Sequence, residues 1–197
     1  MITPKYRTAA EADAAYREYI DYHIATVKWV QANFGTLICT EICVHRTGYH
    51  AMDAVRLNLL VSHIVADHDR SKYTDEEFIA YRQYFYPSME DKLPDKLKYQ
   101  AFDCAWQHHY MTNRHHPEHW SSLNDQQLIE IKMPDEFFAE MICDWIAVSL
   151  TQHSSLYDWW FSPDTHADKA QFISTADMNF LDAFITKYNV MFDFSDR

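Results

Sequence analysis

Only two of the 197 residues are glycine, Gly35 and Gly48. Tight turns draw on glycine wherever the backbone must enter positive φ. A sandwich or barrel needs such turns every few residues, so this chain is a poor candidate for either. Few turns and long periodic segments point to helices. The length suggests one domain, or one domain with a small appendage, and is enough to bury roughly 70% of the unfolded surface. With 48% apolar and 16% aromatic residues, the chain can build a core, which argues against disorder. The expectation is an all-α bundle of about six helices in a single domain over residues 1–197.

Apolar periodicity places the helices. Tyr16, Tyr19, Ile20, His23, Val27 and Val30 recur at three- and four-residue steps, which predicts a helix over about 9–34 with Gly35 as its stop. Residues 37–48 are ambiguous, a short helix followed by a loop at 46–50. A second helix runs over about 52–67 on Val55, Leu59, Leu60 and Ile64. Thr74 and Glu77 match a capping box that would open a third helix, ending before Pro87. Pro94 suits the first position of a fourth, running to about Thr112. Residues 113–132 read as irregular. Pro134 starts a fifth helix to about Gln152, with Asp135 and Glu136 favourably placed at its dipole. Residues 153–170 read as an aromatic loop, and Ser174 or Thr175 caps a last helix to about Tyr188. No internal repeat and no low-complexity segment occurs.

The formal net charge of −12 repels phosphate backbones and disfavours general nucleic-acid binding, which needs a basic footprint. The four cysteines, Cys39, Cys43, Cys104 and Cys143, form no CxxC. Three lie in apolar helical stretches, where thiols are usually inert. A reducing compartment without a disulfide framework follows, and the cytoplasm is the expected location. No apolar signal core and no run of 18 apolar residues is seen, so no membrane association is expected.

The chemistry concentrates in two places. Five of the twelve histidines fall in HHYMTNRHHPEHW: His108, His109, His115, His116 and His119. Imidazole is the commonest metal ligand, and the flanking Trp106 and Trp120 suggest a cleft wall; the plain alternative is a His-rich surface loop. The second place is ADHDRSKYTDEEF, where His68 and Asp69 are adjacent at a helix end. Neighbours on a regular helix point about 100° apart, but at its end both can turn toward one ion. His63 and Asp67, spaced i,i+4, are the rival pair. Asp144 interrupts the apolar run MICDWIAVSL, where a charge is rarely buried without a partner or metal; the alternative is an exposed helix face.

The order H…HD…D on successive helices, from His23 through His68–Asp69 to Asp144, resembles the HD-domain superfamily of metal-dependent phosphohydrolases. More narrowly, HDRSKYTDEEF, AWQHHYMTNRHHPEHW and AEMICDWIA are similar to a small bacterial and phage family of unknown function, with an HDxSK element, an NxHHxE(Y/H)W element and a terminal DW. The superfamily resemblance implies a helical fold with His23, His68, Asp69 and Asp144 as ligands. Its two-metal members add histidines between the HD pair and the last aspartate, where His109, His115 and His116 stand here. The HDxxK spacing resembles members whose lysine approaches a phosphate, which maps to Lys72. A Gly-Tyr-Pro element is missing, so the likeness to the cyclic-dinucleotide phosphodiesterase branch is partial. The metal-site core would span about 9–152, with 153–197 an extension of unassigned role.

Mixed imidazole and carboxylate donors suit Mn²⁺, Fe, Co²⁺, Ni²⁺ or Zn²⁺, as one ion or two, better than Ca²⁺. With two metals, the oxygens of Asp69 could bridge. Lys72 and Arg114 would supply positive charge for a substrate phosphate, Glu118 or Glu140 would serve as general base or supporting carboxylate, and Asn113 would fix a neighbouring imidazole's tautomer. His45, His50, His153 and His166 read as solvated, and Tyr157–Phe161 as core or an oligomer contact. The leading function is hydrolysis of a small phosphorylated substrate, a nucleotide among the candidates. A di-iron oxygenase of the same fold and a non-catalytic metal-binding or partner-binding protein are the alternatives. A homodimer is left open.

Overall fold

The computed structural model describes residues 2–48, 51–124 and 127–195. It is helical, as the glycine count requires. Among the described residues there are eight α-helices: α1 (Ala9–Thr47), α2 (Ala51–Ile64), α3 (Phe78–Phe85), α4 (Asp95–Thr112), α5 (Asp135–Thr151), α6 (Leu156–Trp160), α7 (Pro163–Lys169) and α8 (Thr175–Lys187). One hairpin joins them, with β1 (Ser121–Asn124) antiparallel to β2 (Gln127–Glu130) and Ser121 opposite Glu130. No described helix is long and apolar enough to cross a membrane.

Two compact units divide the chain, one of Met1–Ile24 and Asp69–Asn113, the other of Ala25–His68 and Arg114–Arg197. The first packs Tyr16 and Ile20 of α1 with Phe78 and Tyr81 of α3 and Ala105 of α4. The second is built on the apolar α5, whose Phe138, Met141, Ile142 and Ile146 bury against Val30, Ile38 and Ile42 of α1 and Ala54, Leu57 and Val61 of α2. Trp160, Leu181 and Phe192 belong to that same core, so the chain after residue 153 is structural. Trp160, inside the Tyr157–Phe161 stretch, is fully buried and donates from Nε1 to Asp182 at 2.7 Å.

Several local expectations are corrected. Helix α1 does not stop at Gly35 but continues through residues 37–47. Gly35 serves close approach: a Cβ there would overlap Asn58 Oδ1 on α2, which already accepts from Gln31 at 3.1 Å. The capping box lies elsewhere. Thr8 Oγ1 accepts from the Glu11 amide and Glu11 Oε2 from the Thr8 amide, both at 3.1 Å, the reciprocal pair that starts α1. Thr74 instead donates to the Ser71 carbonyl at 2.8 Å, α3 begins only at Phe78, and the Glu77 side chain is committed to two histidines. Pro94 and Pro134 precede their helices as cap residues. Residues 113–132 contain the hairpin, and 153–170 contain α6 and α7, each capped by a serine, Ser155 and Ser162. Ser174, rather than Thr175, caps α8, accepting from the Asp177 amide at 3.1 Å.

Two histidines expected in solvent are engaged. His45 stacks on Phe180 with ring centroids 4.7 Å apart and lies 3.3 Å from Asp177. His166 lies 3.1 Å from Asp182. His153 is exposed, as expected, while His50 lies outside the described residues.

Candidate metal centre

The HD pair sits where α2 gives out. After Ile64 a single 3₁₀ turn, Val65–Asp67, ends at His68, whose backbone is extended (φ −50°, ψ 130°). Asp69 is left-handed (φ 54°, ψ 22°), and a second 3₁₀ turn, Arg70–Tyr73, follows. Aspartate tolerates that region better than most residues, yet such a backbone costs on the order of 1–3 kcal/mol and persists only where its surroundings hold it. This break in helical geometry lets two consecutive polar side chains both be buried, each at 2% exposure. The rival pair is on the outside: His63 and Asp67 are exposed.

In the first unit the centre is Asp69. Its Oδ2 lies 3.5 Å from His23 Nε2 and its Oδ1 3.4 Å from His109 Nε2. His23 comes from α1 and His109 from the last turns of α4, and both are buried. His109 Nδ1 meets Glu77 Oε2 at 2.8 Å, and His108 Nδ1 meets Glu77 Oε1 at 2.8 Å. Burial alone would push the Glu77 carboxyl up, but the His109 hydrogen bond and charge outweigh it, with smaller help from Ser71 and His108, and hold it below the usual range. Asn113 donates to the His109 carbonyl at 2.8 Å and to Ser71 Oγ at 2.7 Å, its amide nitrogen 3.0 Å from His109 Nδ1. Lys72 Nζ is 2.6 Å from Asp69 Oδ2.

In the second unit the same chemistry recurs on α5. Glu140 and Asp144 are one helical turn apart and therefore share a face. His68 Nδ1 meets Glu140 Oε1 at 2.9 Å, and its Nε2 lies 3.5 Å from Asp144 Oδ1. His115 Nε2 lies 3.9 Å from Asp144 Oδ2, and its Nδ1 3.6 Å from Glu140 Oε1. The His68 and His115 ring centroids are 4.4 Å apart, and the tilted His116 ring lies 4.3 Å from that of His115. Asp144 is thus buried, not on an exposed face. One ligand atom each from His68, His115 and Glu140 all lie within 4.8 Å of one another.

The remaining expected residues are placed as follows. His116 Nδ1 is 4.0 Å from Glu118 Oε2, and Glu118 Oε1 is 2.7 Å from Lys169 Nζ. Arg114 is exposed and lies over Phe137 and Trp120, 4.5 and 5.1 Å from their ring centroids. The sequence missed Glu77, hidden by its match to a capping box, and undervalued Glu140. The available signal for Glu140 was its i,i+4 spacing from Asp144 in an otherwise apolar run. Burial leaves Cys39 and Cys143 inert: Cys39 is pushed up to about 12 and Cys143 well above its ordinary value.

The donor set fits a divalent cation. A carboxylate can only accept, so Glu77 and Glu140 place the proton of His109 and of His68 on Nδ1. The Nε2 lone pairs of these imidazoles then face the lone pairs of Asp69 and Asp144. With both imidazoles neutral these are acceptors facing each other at 3.5 and 3.4 Å, and a cation between them would satisfy both, as a second proton on either ring would. Ligands about 2.1 Å from one ion stand about 3.0 Å apart at octahedral angles and about 3.4 Å apart at tetrahedral angles. The observed separations are close to the latter.

Fold and site together define an all-α protein with buried imidazole–carboxylate groups that could hold a metal ion. The chain belongs to a family of unknown function (DUF5662), whose profile matches residues 12–187. No curated protein and no solved structure matches it.

Proposed function

We propose that this protein is a metal-dependent hydrolase of a phosphate ester, with a nucleotide among the candidate substrates, as the resemblance to HD-domain phosphohydrolases implies. The observation that carries the reading is the pair of imidazoles, His109 and His68, each held at Nδ1 by a buried glutamate while Nε2 faces a buried aspartate. His23, Asp69 and His109 in one group, and His68, His115 and Asp144 in the other, are the proposed ligands, and His68 and Asp69 are consecutive in the chain. When bound, a divalent cation of the Mn, Fe, Co, Ni or Zn class supplies Lewis acidity to a phosphoryl oxygen and ionises a water near neutral pH.

The chain's own residues do the rest. Glu77 and Glu140 hold the Nδ1 protons, which fixes ring orientation and keeps Nε2 available. Asp69 presents one oxygen to His23 and the other to His109, and would hold a cation together with them. Lys72 pairs with Asp69 and would supply positive charge to an incoming phosphate. Glu118, with Lys169 on one oxygen and His116 near the other, is the carboxylate available to take a proton.

The test is metal content in protein purified without added metal, followed by hydrolysis of p-nitrophenyl phosphate and of nucleotides with Mn²⁺, Co²⁺ and Ni²⁺. A labile ion and metal-dependent phosphate release are expected, and His68→Ala should abolish metal retention. Two irons per chain with oxygen uptake would replace the hydrolase by an oxygenase. Protein that takes up no metal would leave the non-catalytic, partner-binding reading.

A further inference from the structure

The first unit buries two tyrosines whose hydroxyls the fold does not use. Tyr16 on α1 is 1% exposed and Tyr81 on α3 is 5% exposed. Neither hydroxyl has a hydrogen-bond partner among the described residues. A buried O–H left unmade costs about 1–3 kcal/mol, and phenylalanine would fill both places without it. Nearby positions show the contrast: Phe78 packs on Tyr16 at 5.1 Å and Phe102 on Tyr81 at 5.3 Å.

Their placement ties them to the Asp69 group. Tyr81 meets His109 edge-on, ring centroids 5.8 Å apart. Tyr16 lies seven residues before His23, two turns along the same face of α1. The charges of Asp69 and Glu77 act on both phenols. Phenols ionise only at about pH 10, so both groups are O–H donors across the physiological range. They are neutral donors, and Glu77 is already engaged by His108 and His109, as is Asp69 Oδ2 by Lys72.

We propose that Tyr16 and Tyr81 form a donor pair for a phosphoryl oxygen of the substrate at the Asp69 group, a binding role that rests on the hydrolase reading. A neutral pair suits the task. Hydrogen bonds to an anionic oxygen are roughly twice as strong as neutral ones. A phenol also has no positive charge to compete with a cation for Asp69. The two hydroxyls would hold a phosphate that the cation polarises, and would release the product more readily than a buried arginine.

Inorganic phosphate is the probe, titrated by calorimetry into protein loaded with Mn²⁺. The variants are Tyr16→Phe, Tyr81→Phe and the double variant, which keep the rings and remove only the oxygens. Each single substitution should weaken phosphate binding roughly tenfold or more, the loss expected for a hydrogen bond to a charged group. Thermal midpoints without phosphate should be unchanged or higher, because no bond within the fold is lost. Equal phosphate affinity in parent and double variant would overturn the inference and leave the hydrolase reading intact. Lowered midpoints with unchanged phosphate affinity would also overturn it, showing that the hydroxyls serve the fold. A parent that holds Mn²⁺ but binds no phosphate would overturn both readings.

Discussion

Arg46 is the most heavily committed cation in the second unit, and its removal offers a sharp test of how that unit is held. Its side chain is 3% exposed. Nε and Nη2 donate to the two oxygens of Asp177 at 3.1 and 2.8 Å, and Nη1 donates to Asp135 at 2.8 Å and to the Met133 carbonyl at 2.7 Å. The guanidinium also lies 4.2 Å from the Phe138 ring centroid. The end of α1 is thereby tied to the starts of α5 and α8. Arg46→Met keeps the aliphatic stem but leaves Asp177, 12% exposed, without its cation. Breaking a buried pair from one side costs about 3–5 kcal/mol. Asp177 keeps His45 and a little solvent, so the lower end, about 3 kcal/mol, is expected; Asp135 is 29% exposed and adds under about 1 kcal/mol. With a urea m-value of about 2 kcal/mol/M, the midpoint falls by about 1.5 M. The fluorescence of the Trp145–Trp159–Trp160 cluster, in the same unit, reads that transition.

The pair also predicts a pH dependence. Burial opposes ionisation of Asp177, but the Arg46 hydrogen bonds and charge outweigh it and hold the carboxyl below its ordinary range. A depressed carboxylate pKa contributes stability that is fully present above the unfolded value, near 3.9, and is lost as pH falls through the folded value. The deficit of Asp177→Asn, about 1.5–3 kcal/mol at pH 7, should therefore shrink below about pH 4. A midpoint shift under about 0.3 M for Arg46→Met, or a deficit in Asp177→Asn that is the same at pH 7 and pH 3.5, would refute the reasoning.

Three further outcomes are expected. Glu140→Gln keeps an acceptor for His68 Nδ1 but loses its charge, so metal affinity should drop about 10–100-fold in a chelator competition while the fold survives; unchanged affinity would remove Glu140 from the site. Trp160→Ala, at a fully buried position with its Nε1 on Asp182, should cost about 3–5 kcal/mol in denaturant unfolding. Gly35→Ala sets roughly 1 kcal/mol of gained helix propensity against displacement of Asn58 and loss of its bond from Gln31. Net destabilisation on unfolding is expected, and a gain would mean that Asn58 moves aside without penalty.

The sequence on its own settled what depends on neighbours within about one helical turn. Two glycines and runs such as Tyr16–Ile20–His23–Val27 specify helices, because the 3.6-residue period is local. Ser174 announces a helix start for the same reason, and an aspartate inside MICDWIAVSL signals burial with a purpose. What lies outside that range was decided by packing. Thr74–Glu77 has the spacing of a capping box, but α4 places His108 and His109 against Glu77, and two imidazole hydrogen bonds replace one backbone cap. Gly35 has the spacing of a helix stop, yet α2 approaches it closely and the helix continues. His45 is exposed, as its loop-like sequence suggests, yet α8 brings Phe180 and Asp177 beside it. Which aspartate oxygen faces which imidazole, and which phenols are buried without partners, follow from contacts between residues tens of positions apart. Residue order does not encode such contacts locally, because they are set by which apolar faces bury one another.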